Sequence, residues 1–354
     1  MTFDLPSLGW DDSFASAFAA HARPDQRPGR VTRVDRGVCT VLTTAGPERA
    51  SLSGTLLAAV ARDPVALPCA GDWVAVRTWP DARTTVEAVL PRRTAVVRHT
   101  AGRQSHGHVL AANLDTAAVV EPVHPAPDLG RVERLLALAW ESGATPLVVL
   151  TKCDMAADPE AVAAGVAEAA PGVAVLAVSA RRGTGIDALR PFVARGRTLG
   201  LLGSSGAGKS TLVNALAGAE LMGTRTLRAD GKGRHTTTHR ALLPLPGGGA
   251  VVDTPGIRAV GLLDGVTGLR RAFADVARLA DGCRFTDCRH SGEPGCAITT
   301  ALASGELTPR RLASWRRLQR EMADEMRRRD ARLAAEERAR ARQQRRKVRH
   351  AGRP

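Results

Sequence analysis

Lysine is scarce in this 354-residue chain: only Lys152, Lys209, Lys232 and Lys347 among 50 basic residues, the rest arginine. Apolar runs are short. The longest, such as residues 116–120 and 147–150, fall far below the ~20 residues a helix needs to cross a bilayer, which excludes a helical membrane protein. The N-terminus lacks a charged-then-apolar pattern and carries Asp4, Asp11 and Asp12, which excludes a secretory signal; no membrane partner and a cytoplasmic location are the expectation. Six cysteines in a chain this long are too few for a disulfide scaffold, and three of them fall within fourteen residues, which points to metal. Aromatics are only 3% of the chain. Residues 29–94 hold just Trp73 and Trp79, so composition does not distinguish a base-stacking surface there from a generic β-module.

What is present is a globular composition, 44% hydrophobic, in a chain long enough for two or three domains. The net charge is +15, and residues 310–354 concentrate it, with 17 basic against 6 acidic residues. Such a segment contacts a polyanion or forms a solvated helix face. Residues 1–28 are polar and read as a loose leader. From 29 to 100, short β-rich runs (31–34, 38–43, 73–77, 85–89) separated by Gly, Pro and Asp signals predict a small barrel of OB type. From 105 to 264 strand and helix patterns alternate. Strands are expected at 115–121, 146–150, 173–178 and 197–202, and a helix through Val132, Leu135, Leu136 and Ala139 ends at Gly143. The implied fold is α/β, a parallel sheet with helices on both faces and ligand loops at the C-terminal strand ends. One helix over 269–280, a Cys-rich knot and a short helix make up 265–325. Thr308-Pro309 then starts a long helix that no Pro or Gly interrupts before 349, and 326–354 is its basic tail.

Two motifs stand in an unusual order. Gly203-Ser204-Ser205-Gly206-Ala207-Gly208-Lys209-Ser210-Thr211 follows an apolar strand and opens a helix, the pattern of a phosphate loop. Its backbone N–H groups from Ser204 to Lys209 would surround a β-phosphate, Lys209 would span the β- and γ-phosphates, and Ser210 would ligate Mg²⁺. About fifty residues earlier stands Thr151-Lys152-Cys153-Asp154. There a carboxylate can accept two hydrogen bonds from guanine N1–H and N2, which adenine cannot supply, while the Lys152 stem lies over the base. Ser179-Ala180 matches the small loop whose N–H meets guanine O6. The scarce lysines occupy both positions where a compact point charge is wanted. An ordinary small GTPase opens with the phosphate loop and closes with the base box, so this chain looks circularly permuted.

Asp253-Thr254-Pro255-Gly256 follows an apolar run; Asp253 can hold Mg²⁺ through water and the Gly256 amide can sense a γ-phosphate. Between phosphate loop and Asp253 lies Gly233-Arg234-His235-Thr236-Thr237-Thr238-His239, where a switch segment belongs. Thr237 is the preferred Mg²⁺ ligand there, with Thr236 left open. Ile257 stands where many GTPases carry a water-orienting glutamine, and His235 is the nearest replacement. The catalytic set is therefore His235, Lys209 and Thr237. Cys283, Cys288, His290 and Cys296 supply three thiolates and an imidazole, a closed tetrahedral set for one structural Zn²⁺. Cys39, Cys69 and Cys153 read as small apolar residues.

This order of barrel, guanine box, phosphate loop, switch, Asp-Thr-Pro-Gly, cysteine knot and basic helix resembles the RsgA family, circularly permuted GTPases dependent on the small ribosomal subunit. The resemblance runs from about residue 29 to 320 and also rests on Gly71-Asp72-Trp73-Val74 and Leu90-Pro91-Arg92-Arg93. It implies an OB-type barrel, a permuted P-loop GTPase domain and a zinc-binding helical C-terminal domain. It also implies a role in late maturation of the small subunit, with rRNA contact and GTP hydrolysis to GDP stimulated by that subunit, and it assigns the histidine matching His235 to hydrolysis. A monomer is expected. Two departures are Ala207 in place of the family's usual valine and a longer Arg-rich extension beyond 327. Two other readings are a nucleotide-switched RNA-binding assembly factor whose hydrolysis is incidental, and an ATP-driven motor, which the guanine box opposes.

Overall fold

The structure is a computed structural model that describes residues 4–21, 23–99, 107–223, 241–254 and 266–351, with backbone alone for 99, 329 and 332–351. After helix α1 (Asp12–His21), five strands close a barrel: β1 (Gln26–Asp35), β2 (Val38–Thr43), β3 (Gly46–Leu52), β4 (Trp73–Thr78) and β5 (Thr84–Val89). Their order is β1-β2-β3-β5-β4, and the extra β1–β4 pairing joins the ends. Helix α2 (Gly54–Arg62) lies between β3 and β4 in sequence, its first turn capped by the Ser53 side chain accepting from Leu56 N. The two halves of β1 serve different neighbours, 26–30 pairing with β4 and 30–35 with β2, and a bulge between Val31 and Arg33 bends the strand. Val31, Cys39, Val41, Ala50, Val74, Val76 and Val86 alternate inward and fill the interior. The barrel is thus of OB type, with a third strand that the residue pattern of 46–52, interrupted by Pro47 and Glu48, did not announce.

The Gly-Asp-Trp and Pro-Arg strings gain a physical meaning here. Asp72 is buried, and Arg92 grips it bidentately, Nε to Oδ1 and Nη2 to Oδ2, both at 2.7 Å. Arg92 also donates to Val65 O and Leu67 O, and Cys69 N donates to Asp72 Oδ2. The charge pair is therefore almost fully hydrogen-bonded, the condition under which burial is tolerated.

Residues 4–21 do not form the expected loose leader. A turn at Leu5–Leu8 and helix α1 bury Leu5, Leu8 and Phe14 against Leu42, Trp73 and Leu90 of the barrel. Polar composition had hidden three well-spaced apolar anchors. Residues 95–99, expected within the barrel, instead form strand β6 (Ala95–His99), paired with β7 (Gly107–Ala112) in a separate two-stranded ribbon.

Beyond the ribbon comes the α/β unit: β8 (Thr116–Pro122), α3 (Leu129–Glu141), β9 (Thr145–Thr151), α4 (Pro159–Glu168), β10 (Val175–Ala177), β11 (Thr198–Leu202), α5 (Lys209–Ala217), β12 (Ala241–Pro244) and β13 (Ala250–Asp253). The strand order is β10-β9-β8-β11-β13-β12, all parallel except β12 against β13. Both faces are covered, so successive residues of one strand enter opposite cores. Ala117, Val119, Val148 and Leu150 pack toward α3, whereas Ala118, Val120, Leu147 and Val149 pack toward α5. Strand β1 of the barrel meets β12 at Arg33 and Ala241, which makes barrel and parallel sheet one continuous eleven-stranded sheet.

The C-terminal part comprises α6 (Val266–Ala272), α7 (Ala274–Asp281), α8 (Ala297–Ser304) and α9 (Pro309–Ala351). The single helix expected over 269–280 is two, broken at Phe273 (φ −119°, ψ 44°), whose fully buried ring carries the Arg311 guanidinium 4.1 Å above it. α6 crosses α3 closely at Gly268, where a Cβ would come within 2.3 Å of Ala137 O. Arg311 fastens four elements. It donates to Glu133 of α3, to Ala169 O after α4, to Ala272 O of α6 and to Asp275 of α7. Leu312, Trp315, Leu318 and Met322 form the buried stripe of α9. Past that stripe Met326 is exposed, and the helix backbone continues as one element through Ala351.

Candidate nucleotide site and metal centre

The strand that carries the phosphate loop, β11, sits in the middle of the parallel sheet between β8 and β13. Counted from β11, with β8, β9 and β10 placed last, the order reads 2-3-1-4-5-6. The loop after a central strand of such a sheet lies at the crevice where ligands bind. Residues 203–208 make that loop, and α5 begins at Lys209. Gly203 passes so close to β8 that a Cβ would meet Val120 O at 2.4 Å, and Gly208 adopts φ +91° beside Thr151 Oγ1. Lys209 is buried, and its ammonium donates to Gly203 O and Ser204 O at 2.9 Å each. Burial lowers its pKa, and the nearby Asp253 carboxylate partly restores it.

Asp253 ends β13, one residue before Thr254, whose hydroxyl donates to Leu201 O of β11 at 2.6 Å. Only 2% exposed, Asp253 has its pKa raised by burial against the opposing pull of Lys209, and its Oδ1 has no hydrogen-bond partner among the described residues. A buried carboxylate oxygen left without a donor beside a phosphate loop fits a hydrated hard cation.

The base box lies on the same edge. Thr151 closes β9, and its hydroxyl donates to Ala207 O inside the phosphate loop at 2.5 Å, joining motifs 56 positions apart. Lys152 then takes φ +60°. Cys153 N donates to Val178 O, and Ser179 Oγ donates to Asp154 Oδ1 at 2.5 Å, which lowers the Asp154 pKa. Ala180 follows the buried Ser179 in that loop. Ser205, Gly206, Ser210 and Thr211 lie in the loop or the first turn of α5. His235, Thr236, Thr237 and Gly256 lie outside the described residues. The Thr151–Ala207 link was not visible in the sequence, although a threonine in the place where asparagine is commoner was the signal that could have raised it.

The cysteine knot gathers Cys283, Cys288, His290 and Cys296 so that one donor atom from each lies within 4.8 Å of the others. His290 turns Nδ1 toward Cys283 Sγ (3.5 Å) and Cys296 Sγ (3.7 Å). With Zn–S near 2.3 Å, a tetrahedral site requires separations of this size. The set fits a closed Cys₃His site. Outer contacts hold the ligand backbone: Arg316 donates to His290 O at 2.5 Å, Cys288 N to Phe285 O and Cys296 N to Glu293 O. Cys39, Cys69 and Cys153 are buried and form no disulfide among the described residues.

A permuted sheet with phosphate loop, guanine box and Asp253 on one edge, an OB barrel before it and a Cys₃His knot after it defines the class of circularly permuted P-loop GTPases. Residues 89–263 match the RsgA GTPase family model. A Streptomyces coelicolor protein named small ribosomal subunit biogenesis GTPase RsgA is 52% identical over 336 residues, covering 94% of this chain and 90% of that protein. Among solved structures, YjeQ from Thermotoga maritima aligns with TM-score 0.60 at 24% identity, covering 84% of this chain and 99% of that one. YloQ, described as a circularly permuted GTPase, aligns with TM-score 0.57 at 22% identity, covering 86% and 98%. The chain belongs to the RsgA GTPase family. Among the described residues no helix is long and apolar enough to cross a membrane.

Proposed function

We propose that this protein is a GTP hydrolase acting in late maturation of the small ribosomal subunit, binding rRNA and stimulated by the subunit. One observation carries the reading: the guanine box and the phosphate loop, separated and reversed in sequence, are hydrogen-bonded to one another through Thr151 and Ala207. The name borne by the Streptomyces coelicolor relative supplies the ribosomal context. In this reading the strands from Gln26 to Val89 act as the barrel, 105–264 as the GTPase domain, 265–325 as the zinc-binding domain and 326–354 as a basic tail. The chain works as a cytoplasmic monomer with no membrane partner.

The phosphate-loop amides and Lys209 hold the β- and γ-phosphates, with the α5 N-terminus favouring the anion. Mg²⁺, when bound, neutralises the phosphate oxygens. Ser210, Asp253 and a switch threonine (Thr237, or Thr236) would hold it, and the Gly256 amide would sense the γ-phosphate. His235 positions or deprotonates the attacking water, since Ile257 cannot. Zn²⁺ serves structure alone, because four protein ligands leave no open position. The Arg-rich end of α9 supplies a sequence-independent contact to RNA phosphates.

The decisive experiment compares GTP turnover by the wild type and His235→Ala, alone and with purified small subunits. The wild type should turn over slowly alone and faster with subunits. The variant should keep its GTP affinity and lose about 10²- to 10⁴-fold in turnover, the range for a positioned acid–base group. Unchanged turnover removes His235 from the mechanism, and absence of any subunit stimulation removes the ribosomal reading.

Base choice gives a separate check. Asp154→Asn replaces an acceptor pair by one acceptor and one donor. GTP affinity should then fall roughly 10- to 100-fold, the scale of one hydrogen bond to a charged group, while xanthosine triphosphate, which presents a carbonyl at C2, gains. Competition binding with the two nucleotides reads this directly; an unaltered preference for GTP would place the base elsewhere.

A further inference from the structure

Two peptide groups in the cysteine knot are held by a side chain that is not one of the four metal ligands. His290 takes φ +59°, the left-handed region that a residue with a Cβ enters only at a steric cost. The N–H groups on either side of it, those of Arg289 and Ser291, donate to the Glu293 carboxylate, to Oε1 at 3.0 Å and to Oε2 at 2.6 Å. N–H groups around a left-handed residue form a concavity that takes an anion. Here the chain supplies that anion itself, three positions after the histidine. Both carboxylate oxygens are engaged with backbone, and the four donor atoms that converge are those of Cys283, Cys288, His290 and Cys296.

From the other side α9 holds the same histidine. Arg316 donates to His290 O, and the Trp315 ring lies 5.8 Å from the imidazole. One carboxylate and one guanidinium thus clamp the peptide groups around His290 while its Nδ1 faces Cys283 Sγ and Cys296 Sγ. The three cysteines have anchors of their own. Cys283 N donates to Ala280 O in the last turn of α7, Cys288 N donates to Phe285 O, and Cys296 precedes the first residue of α8. The loss of the carboxylate therefore falls on the histidine. Without it the bonds that offset the left-handed backbone are gone, and a return of φ to negative values swings the Cα–Cβ bond and carries the imidazole away from the thiols.

We propose that Glu293 is a positioning residue of the metal centre: it fixes the backbone of His290 and so brings the imidazole to the metal as the fourth ligand. The proposal rests on the reading of the knot as a zinc site. The main chain of Glu293 serves the same end. Its carbonyl accepts from Cys296 N at 3.2 Å, and the turn it opens ends at Gly295, φ +74°, whose carbonyl accepts from Arg284 N, next to Cys283, at 3.1 Å. The three residues 293–295 thereby reach the backbone at or beside each of the four ligands.

The test uses the full chain. Metal analysis of the wild type should find one Zn²⁺ per chain. Against a chromophoric chelator, Glu293→Ala should bind Zn²⁺ about 10- to 100-fold more weakly, the range for loss of a contact behind a ligand. Glu293→Gln keeps one acceptor oxygen for two N–H groups and should fall between the two. With Co²⁺ in place of Zn²⁺, the visible ligand-field bands report the donor set, and the spectrum of Glu293→Ala should move toward that of His290→Ala. Adding Glu293→Ala to His290→Ala should weaken the metal little further, as expected when one residue acts through the other. A wild type that takes up no Zn²⁺ overturns the zinc reading and the proposal with it. A zinc-binding wild type matched by Glu293→Ala in both affinity and cobalt spectrum overturns the proposal alone. Full additivity of the two substitutions does so too, because Glu293 would then stabilise the loop without acting on the histidine. Should Glu293→Ala fail to fold, Glu293→Gln is read in the same way, and wild-type values in it overturn the proposal.

Discussion

Lys209→Ala should yield a folded protein that no longer retains GTP. The ammonium is buried and already bonded to two carbonyls of its own loop, so it stands where phosphate oxygens would be met. Each hydrogen bond from a charged donor to a charged acceptor is worth ~1.5–3 kcal/mol, and two of them amount to about 10²- to 10⁴-fold in affinity. Little is lost structurally. Alanine is the best helix former at the first position of α5, and removal of a desolvated ammonium relieves the burial that lowers its pKa. Binding of a fluorescent GTP analogue, with far-ultraviolet circular dichroism as the folding control, measures both halves. Wild-type affinity in the alanine variant would sink the assignment of residues 203–210 to phosphate.

Cys296→Ser, or chelation of the wild type, should release zinc and melt the C-terminal part first. Cys296 caps the N-terminal end of α8, and its neighbours Ile298 and Ala301 belong to the same buried core as α3 and Trp315. The ligand set therefore anchors a core shared with the GTPase sheet rather than an isolated finger. Structural zinc contributes ~10–16 kcal/mol in finger peptides; a third of that, lost here, lowers the melting temperature by roughly 10 °C. Acidification acts in the same direction, because thiolates and a neutral imidazole are needed to hold the ion. Calorimetry paired with metal analysis checks this. A metal-free serine variant melting with the wild type would show that the knot holds no structural ion. The Arg311 cluster explains why damage at the knot need not stay there: one guanidinium bridges α3, the end of α4, α6 and α7.

Much of the architecture could be read along the chain, and for identifiable reasons. The strands at 116–122, 145–151 and 198–202 are centred on short apolar runs (117–120, 147–150 and 199–202) because both faces of the sheet are covered, and α3 shows the spacing of a helix with one buried stripe. The elements that escaped notice are those whose apolar residues are few or whose partners are distant. Helix α1 has a single fully buried side chain, Phe14, which finds its place only against Trp73. Strand β3 carries Pro47, Glu48 and Arg49 and is held by its neighbours in the barrel. At the break, the Phe273 ring carries the guanidinium of Arg311, 38 positions onward, a contact no local pattern shows.

By itself the sequence determined the inventory and its order: a phosphate loop, a guanine box placed before it, a set of four metal ligands and a basic end. Local spacing is enough for these, because each motif is a short backbone conformation with side chains at fixed offsets. Only the tertiary structure decided which pieces touch. It brought Thr151 to Ala207, left Asp253 Oδ1 without a hydrogen-bond partner among the described residues near Lys209, and collected Arg30, Trp73 and Thr198 around one cavity. Those contacts join residues tens to more than a hundred positions apart. Sheet pairing and burial bring them together, and neither is written in any local stretch of chain.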